Sequence, residues 1–440
     1  MTSLLLAALL ASQPADLRDG DAVTRVLASL RAADPAVCEL AGQSITNGWG
    51  WGWMGNGDDP MPRPMPTPMP TPMPMPFAGR GAGAVMPRTA RASSGWDARV
   101  VDAFRPALRD NSRCVRRIAA RVVGRAHPSW APQEFAALAK SSEAGFREIG
   151  QLGLGVIEDP ATMPAMIAGL GDSDETVRGT AAWALGQVES TQAIPALTKA
   201  LGDSAVSVRR KAAWALGQIE DEAAIEPLAQ ALRDKAPEVR RVAAWALGEI
   251  ESARALPVLR SATTDSDWEV RHTVAWAIGE IEDRSGVDVL ALMLKDADPR
   301  VRRMAVWSLG EIESGSAVPV LAPLTRDGDR DVRLMAIWAL GEIEDDTAVA
   351  PLGAALKDRD AGVRQMAAWA LGQVESSSAV SALTPLLKDA SAEVRATAAW
   401  ALGEIESASA RSALEAVRDD QSPSVRRAVN WAIRQIDDRR

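Results

Sequence analysis

A fixed period of 31 residues runs through most of this 440-residue sequence and limits what it can fold into. Each period holds two short amphipathic segments, which cannot bury their apolar faces alone, so neighbouring periods must stack. The sequence therefore predicts an all-α protein, an α-solenoid of stacked 31-residue helical hairpins. Nine tryptophans mark the period and form the Trp column: Trp183, Trp214, Trp245, Trp276, Trp307, Trp338, Trp369, Trp400 and Trp431.

Each period contains a longer helix followed by a shorter one. In the stretch DSDETVRGTAAWALGQVE, Asp172 or Asp174 is an N-cap candidate, and the helix runs to about Val188. The stretch STQAIPALTKALG predicts the shorter helix, with Pro195 in the first turn, where proline is tolerated. Ten full repeats fit from residue 110, followed by a terminal helix at 420–440, so the solenoid is assigned to 96–440.

The repeated unit reads D-x-x-x-x-V-R-x-x-A-A-W-A-L-G-[EQ]-[IV]-E, followed by A-[IV]-x-P-L-x-x-A-L. This pattern resembles a HEAT repeat of the short, bilin-lyase-like (PBS lyase-type) kind, over about 110–440. The resemblance implies that the helix carrying V-R lines the concave face of the solenoid, the face that usually binds partners. It is specific for the fold and poor for function, since such repeats serve many roles.

The Trp column points away from the core of its own hairpin. At about 100° per residue, Trp183 lies roughly 145° from the centre of the apolar face of its helix. Two other columns are expected on the same surface. The Glu/Gln column follows each Trp by one turn: Gln187, Gln218, Glu249, Glu280, Glu311, Glu342, Gln373, Glu404 and Gln435. The varied column precedes each Trp by one turn: Thr180, Lys211, Val242, Thr273, Met304, Met335, Met366, Thr397 and Ala428.

Two interpretations of the Trp column stay open. As a binding stripe beside carboxylates and amides, it would take Arg-rich or Pro-rich peptides, or sugars. As packing, each Trp would lean over the glycine of the preceding repeat, as Trp183 would over Gly155, in the space that a missing Cβ leaves. A recurring Asp and Arg are interpreted as a structural ladder of carboxylate–guanidinium bonds between repeats, represented by Asp172, Asp203, Asp234, Arg178, Arg209 and Arg240.

The region before the repeats divides into three parts. An apolar run followed by small residues predicts a signal peptide over 1–16 and export to the periplasm or the exterior; without that peptide the protein would be cytoplasmic. Residues 17–46 are expected to be helical, and 47–95, rich in Gly, Trp, Met and Pro, are expected to be a linker without fixed structure. In an exported chain, Cys38 and Cys114 would form a disulfide worth about 4 kcal/mol.

Charge and residue types argue against several classes of function. A net charge of −9 argues against nucleic-acid binding, and no apolar run is long enough to span a membrane. The two histidines, His127 and His272, belong to no metal or catalytic motif, so no cofactor and no metal site are expected. The favoured hypothesis is a non-enzymatic scaffold for a protein or peptide partner, basic or Pro-rich. The alternatives are an accessory or lyase-like protein that cradles a cofactor-bearing substrate, and copper handling by the methionines of the Met-Pro tract: Met61, Met65, Met69, Met73 and Met75.

Overall fold

The computed structural model describes Val23, Leu27, Ala28, Leu30 and Arg31 and then residues 98–438. Every regular element in this part of the chain is helical, and the predicted all-α solenoid is confirmed. The expected signal peptide, the linker at 47–95, the Met-Pro tract and Cys38 lie outside the described residues. Cys114 is disulfide-bonded, and its pairing with Cys38 stays a prediction.

The structure divides into two compact units, and Ile250 is the last residue of the first. The helices of the first unit are α1 Ala98–Phe104, α2 Arg113–Ala126, α3 Ala131–Leu138, α4 Ala144–Ile157, α5 Met163–Gly169, α6 Glu175–Val188, α7 Ile194–Ala200, α8 Val206–Gln218, α9 Ile225–Ala231 and α10 Pro237–Glu249. The long helices α2, α4, α6, α8 and α10 pack side by side in chain order, and the short helices α5, α7 and α9 each pack on the long helix that follows.

The second unit begins at Glu251 and repeats the same arrangement. Its helices are α11 Leu256–Ser261, α12 Trp268–Glu280, α13 Gly286–Met293, α14 Pro299–Glu311, α15 Val318–Leu321, α16 Arg330–Glu342, α17 Val349–Ala355, α18 Ala361–Gln373, α19 Val380–Leu383, α20 Ala392–Glu404, α21 Arg411–Glu415 and α22 Pro423–Asp438. The long helices α12, α14, α16, α18, α20 and α22 stack in chain order. None of the helices in the described ranges has the length and apolar character needed to cross a membrane.

Local sequence explains where the helices begin. Asp174 is the N-cap of α6, because its carboxylate accepts hydrogen bonds from the backbone N–H groups of Thr176 and Val177, at 2.8 and 3.2 Å. Pro195 lies in the first turn of α7, where its missing N–H costs nothing. A short 3-10 turn, Thr191–Ala193, leads into α7 and lets the chain reverse direction within a few residues.

The ends of the long helices share a feature that the sequence analysis missed. A non-glycine residue in the left-handed region follows each long helix from α2 to α20, with φ between 46° and 55°. Nine of these ten residues are glutamates, from Glu158 to Glu406, and the tenth is His127. Left-handed backbone costs a residue with a Cβ roughly 1–2 kcal/mol. Each repeat therefore has a small backbone strain at the residue that follows its long helix.

Candidate functional site

Seven indoles of the Trp column pack on glycines of the preceding repeat. In the first unit, a Cβ placed on Gly186 would lie 2.9 Å from Cζ3 of Trp214, and one on Gly217 would lie 3.1 Å from Cζ3 of Trp245. The other pairs with the same geometry are Gly155 with Trp183 in the first unit, and Gly310 with Trp338, Gly341 with Trp369, Gly372 with Trp400 and Gly403 with Trp431 in the second. A Cβ at any of these positions would crowd the indole or the helix beside it, so the neighbouring helix would have to shift to admit a larger residue.

Burial follows from this packing. Trp245 is only 1% exposed, and Trp214, Trp276 and Trp400 are also buried. The other members are half-buried: Trp183, Trp307, Trp338, Trp369 and Trp431. The Trp column thus contributes mainly to contacts between repeats, and only its half-buried members offer indole surface to a ligand.

The varied column does not share the exposed surface, and the expectation that it would was wrong. All nine of its members are buried. Lys211 illustrates the reason, because its Cδ would lie 3.2 Å from a Cβ on Gly179 of the preceding repeat. Thr180 and Thr273 turn back onto their own helices, where each Oγ1 donates to the carbonyl oxygen four residues before it at 2.8 Å. Residues three before a Trp are therefore covered by the neighbouring repeat.

The Glu/Gln column remains accessible along the ends of the long helices. Every member is half-buried except Glu311, which is exposed. Although the Glu311 side chain as a whole is exposed, its carboxyl is partly shielded from water; this desolvation, followed by repulsion from Glu280 and Glu342, raises its pKa to about 7. Glu282 and Glu313, in the left-handed corners, add to the repulsion. The glutamates along this part of the column therefore repel the carboxylate of Glu311.

The Asp–Arg ladder joins successive repeats by bidentate bonds. Arg178 donates from Nε to Oδ2 of Asp203 at 2.6 Å and from Nη2 to Oδ1 at 3.0 Å. Its Nη1 also donates to the backbone oxygen of Asp172 at 2.9 Å, which closes the turn of its own repeat. The hydrogen bond from Arg178 lowers the pKa of Asp203 and raises that of Arg178 itself.

The same bonds recur at other steps of the ladder. In the first unit Arg147 bonds Asp172 and Arg209 bonds Asp234; Arg240 donates to the backbone oxygen of Asp234. In the second unit the pairs are Arg271 with Asp296, Arg302 with Asp327, Arg333 with Asp358, Arg364 with Asp389 and Arg395 with Asp420. Each pair spans 25 residues, so the ladder fixes one repeat against the next.

Comparison with known families agrees with this repeating geometry. The family model described as HEAT repeats matches eight overlapping stretches: 133–213, 163–237, 197–268, 226–297, 261–331, 287–362, 318–393 and 349–434. Together these stretches cover more than half of the chain. The chain belongs to the HEAT-repeat family.

Solved structures show the same fold at low identity. Importin beta in an ammonium sulfate condition matches with a TM-score of 0.55 and 15% identity, over 98% of this chain and 61% of that chain. Yeast importin-beta matches with a TM-score of 0.52 and 14% identity, over 77% and 56%. Kap95p bound to RanGDP matches with a TM-score of 0.54 and 14% identity, over the same shares. This chain thus spans less than two thirds of each of these importin chains, and no curated protein matches it.

One aromatic and basic cluster departs from the HEAT period. In the second unit, the guanidinium carbon of Arg300 lies 3.4 Å from the ring centroid of Trp268, a cation–π contact. His272 meets Trp268 edge to face at 6.2 Å between centroids. Burial, followed by the charges of Arg300 and Arg303, lowers the pKa of His272 to about 4. The only sequence signal for this cluster was a tryptophan outside the Trp column.

The histidines, cysteines and carboxylates of the described repeats do not gather into a metal site. Within 98–438, no group of three such residues has a geometry that could hold a metal ion. The HEAT repeats instead present ordered columns of recurring residues, of which the Glu/Gln column and the half-buried tryptophans are accessible.

Proposed function

We propose that this HEAT-repeat protein is a non-enzymatic scaffold that binds an extended, basic segment of a protein partner. The observation that carries the proposal is the Glu/Gln column of the second unit, where Glu280, Glu311 and Glu342 stand on the adjacent helices α12, α14 and α16. Partial desolvation and then repulsion from Glu280 and Glu342 raise the pKa of Glu311 to about 7, and a cationic ligand would relieve the repulsion.

The spacing of the column suits an extended partner. Packed helices lie about 8–10 Å apart, so equivalent carboxylates on neighbouring repeats are separated by about that distance. A polyproline II segment rises about 3.1 Å per residue with three residues per turn, which places every third side chain on one face about 9 Å apart. A segment with Lys or Arg at every third residue would therefore meet one carboxylate per repeat.

The half-buried tryptophans support the same partner. Trp307 and Trp338 each lie one turn before a glutamate of the column, Glu311 and Glu342, and residues one turn apart share a helix face. An Arg side chain that pairs with the carboxylate can therefore stack on the indole beside it. This arrangement favours Arg over Lys, because the planar guanidinium both stacks and bonds in a bidentate manner.

The structural neighbours support the class of function only. One is named as Kap95p bound to RanGDP, so a solenoid of this fold does bind a protein. At 14–15% identity the likeness concerns the fold, and the partner of this chain is argued from its own columns.

Fluorescence anisotropy with two labelled peptides of equal composition tests the proposal. One peptide repeats Arg-Ala-Pro triplets, and the other collects its arginines in one block. We expect the triplet peptide to bind about ten-fold more tightly at low salt, with affinity falling as salt rises. The double variant E311Q/E342Q should lose this binding, whereas E226Q, an exposed carboxylate on α9, should keep it.

The outcomes separate the parts of the proposal. Equal binding of both peptides, with loss in E311Q/E342Q, would keep the basic partner and remove the three-residue spacing. Binding that survives E311Q/E342Q would place the site elsewhere. No binding of either peptide at low salt would refute the proposed function.

A further inference from the structure

The Asp–Arg ladder has the same geometry at three steps of the first unit. Arg147, Arg178 and Arg209 each donate from Nε to Oδ2 of the aspartate that opens the next repeat, at 2.6 Å. The two partners are always 25 residues apart. Arg116 has Ser141 at the corresponding position and makes no such bond. Asp110 opens the first repeat, but the residue 25 positions before it is Val85. Asp110 therefore has no arginine at the regular ladder spacing.

Arg31 supplies that arginine. Its Nε donates to Oδ2 of Asp110 at 2.6 Å, the same atoms and the same distance as in the regular ladder, across 79 residues of sequence. The other carboxylate oxygen of Asp110 accepts from the backbone N–H of Ser112 at 2.9 Å, just as Asp203 accepts from Ala205 at 2.8 Å. The side chain of Asp110 is only 7% exposed.

The helical residues beside Arg31 are held by apolar burial as well. Val23, Leu27 and Leu30 are 1%, 5% and 1% exposed. They are spaced four and three residues apart, which places them on one helix face. This short segment thus combines buried apolar residues with a ladder bond. The same two features stabilise the contact between neighbouring HEAT repeats.

We propose that the segment containing Val23–Arg31 is the N-terminal cap of the HEAT array and stands in for a preceding repeat. Terminal repeats of solenoids need such caps, because an uncovered end exposes the apolar face that would otherwise be stacked. Here the cap belongs to a segment separated from the array by the Met-Pro tract, so it is a distinct docking element of the chain. The site that receives it is Asp110, at the start of the first repeat.

Hydrogen exchange of the full-length protein tests the cap. Loss of a hydrogen bond between charged groups should speed exchange of the α1 and α2 amides in R31A by about ten- to hundred-fold. R31K keeps the charge without the planar fork and should fall between R31A and the wild type. R233A, which removes an exposed arginine of the same unit, is the matched control and should exchange like the wild type.

A double-mutant cycle with D110N shows whether the two side chains act as a pair. If Arg31 acts through Asp110, R31A should add little to the faster exchange of D110N. Exchange in R31A equal to that in R233A would overturn the proposal. Fully additive effects of R31A and D110N would also overturn it, because they would mean that the two residues stabilise the unit separately.

Discussion

The glycine beneath each indole permits the close approach of adjacent long helices, and Gly186→Ala tests this directly. A Cβ at this position would lie 2.8 Å from the backbone Cα of Ala215 and 2.9 Å from Cζ3 of Trp214. Since ordinary carbon contacts are about 3.5 Å or longer, α8 would have to retreat from α6 by roughly half an ångström or more. Backbone atoms cannot rotate away, so the shift must be shared along the interface.

The magnitude comes from two opposing terms. Overpacking of this kind costs about 1–3 kcal/mol, while alanine in place of glycine inside a helix gains about 1 kcal/mol. Gly179→Ala on the same helix is the matched control, because its Cβ would meet only the flexible end of Lys211, at 3.2 Å. Both variants carry the same propensity gain, so their difference isolates packing. We expect G186A to be less stable than G179A by about 2 kcal/mol.

Urea unfolding followed by far-UV circular dichroism measures this difference, with hydrogen exchange of the α6 and α8 amides as the local readout. G186A should lower the midpoint and speed exchange in both helices, whereas G179A should leave both unchanged or improved. If the two variants prove equally stable, the reasoning that the glycines serve helix approach is refuted.

Three further predictions concern charge. R333A should lower the free energy of unfolding in urea by about 3 kcal/mol, because Arg333 is buried and its loss leaves the carboxylate of Asp358 without its ion pair. The control R359A removes an exposed arginine and should change this free energy by less than about 0.5 kcal/mol. The fold raises the pKa of Glu311 to about 7, so the stability that its protonated carboxyl contributes is fully present below the ordinary pKa of 4.5 and is lost as pH rises through 7. In the same urea assay, E311Q should therefore be more stable than the wild type by about 1 kcal/mol at pH 8, after solvent screening, and equally stable at pH 4. The lowered pKa of His272 means that its imidazole stays neutral until pH falls to about 4, so an NMR titration that shows protonation near 6.5 would contradict its burial beside Arg300 and Arg303.

The sequence was sufficient to predict the all-α solenoid of helical hairpins, because that fold follows from the period and the amphipathic pattern of each repeat. The pairing of Trp183 with Gly155 also followed, since a large and an absent side chain recur at fixed offsets. The helical projection gave the wrong exposure for the varied column. A projection gives the direction of a side chain relative to its own hairpin, but Lys211 is buried by the helix of the preceding repeat, at Gly179.

Other features left too little trace in residue type. Glutamate has no preference for left-handed backbone, so nothing about Glu220 indicated its φ of 52° except its constant place after the helix. Arg31 looked like any exposed helical arginine, because its partner Asp110 is 79 residues away and outside the periodic spacing. The raised pKa of Glu311 depends on carboxylates from three repeats, and stacking geometry alone brings them together.

The ladder and the Trp–Gly contacts join equivalent positions of adjacent repeats, and this has a genetic consequence. Loss of one whole period, such as residues 327–357, would bring Asp358 to the place of Asp327 and Trp369 to that of Trp338, so that Arg302 and Gly310 would meet partners of the same kind. Loss of a number of residues that is not a multiple of the 31-residue period would misalign both sets of contacts at once. Gain or loss of whole periods therefore preserves the contacts between repeats, whereas a change of another length within the array would break them.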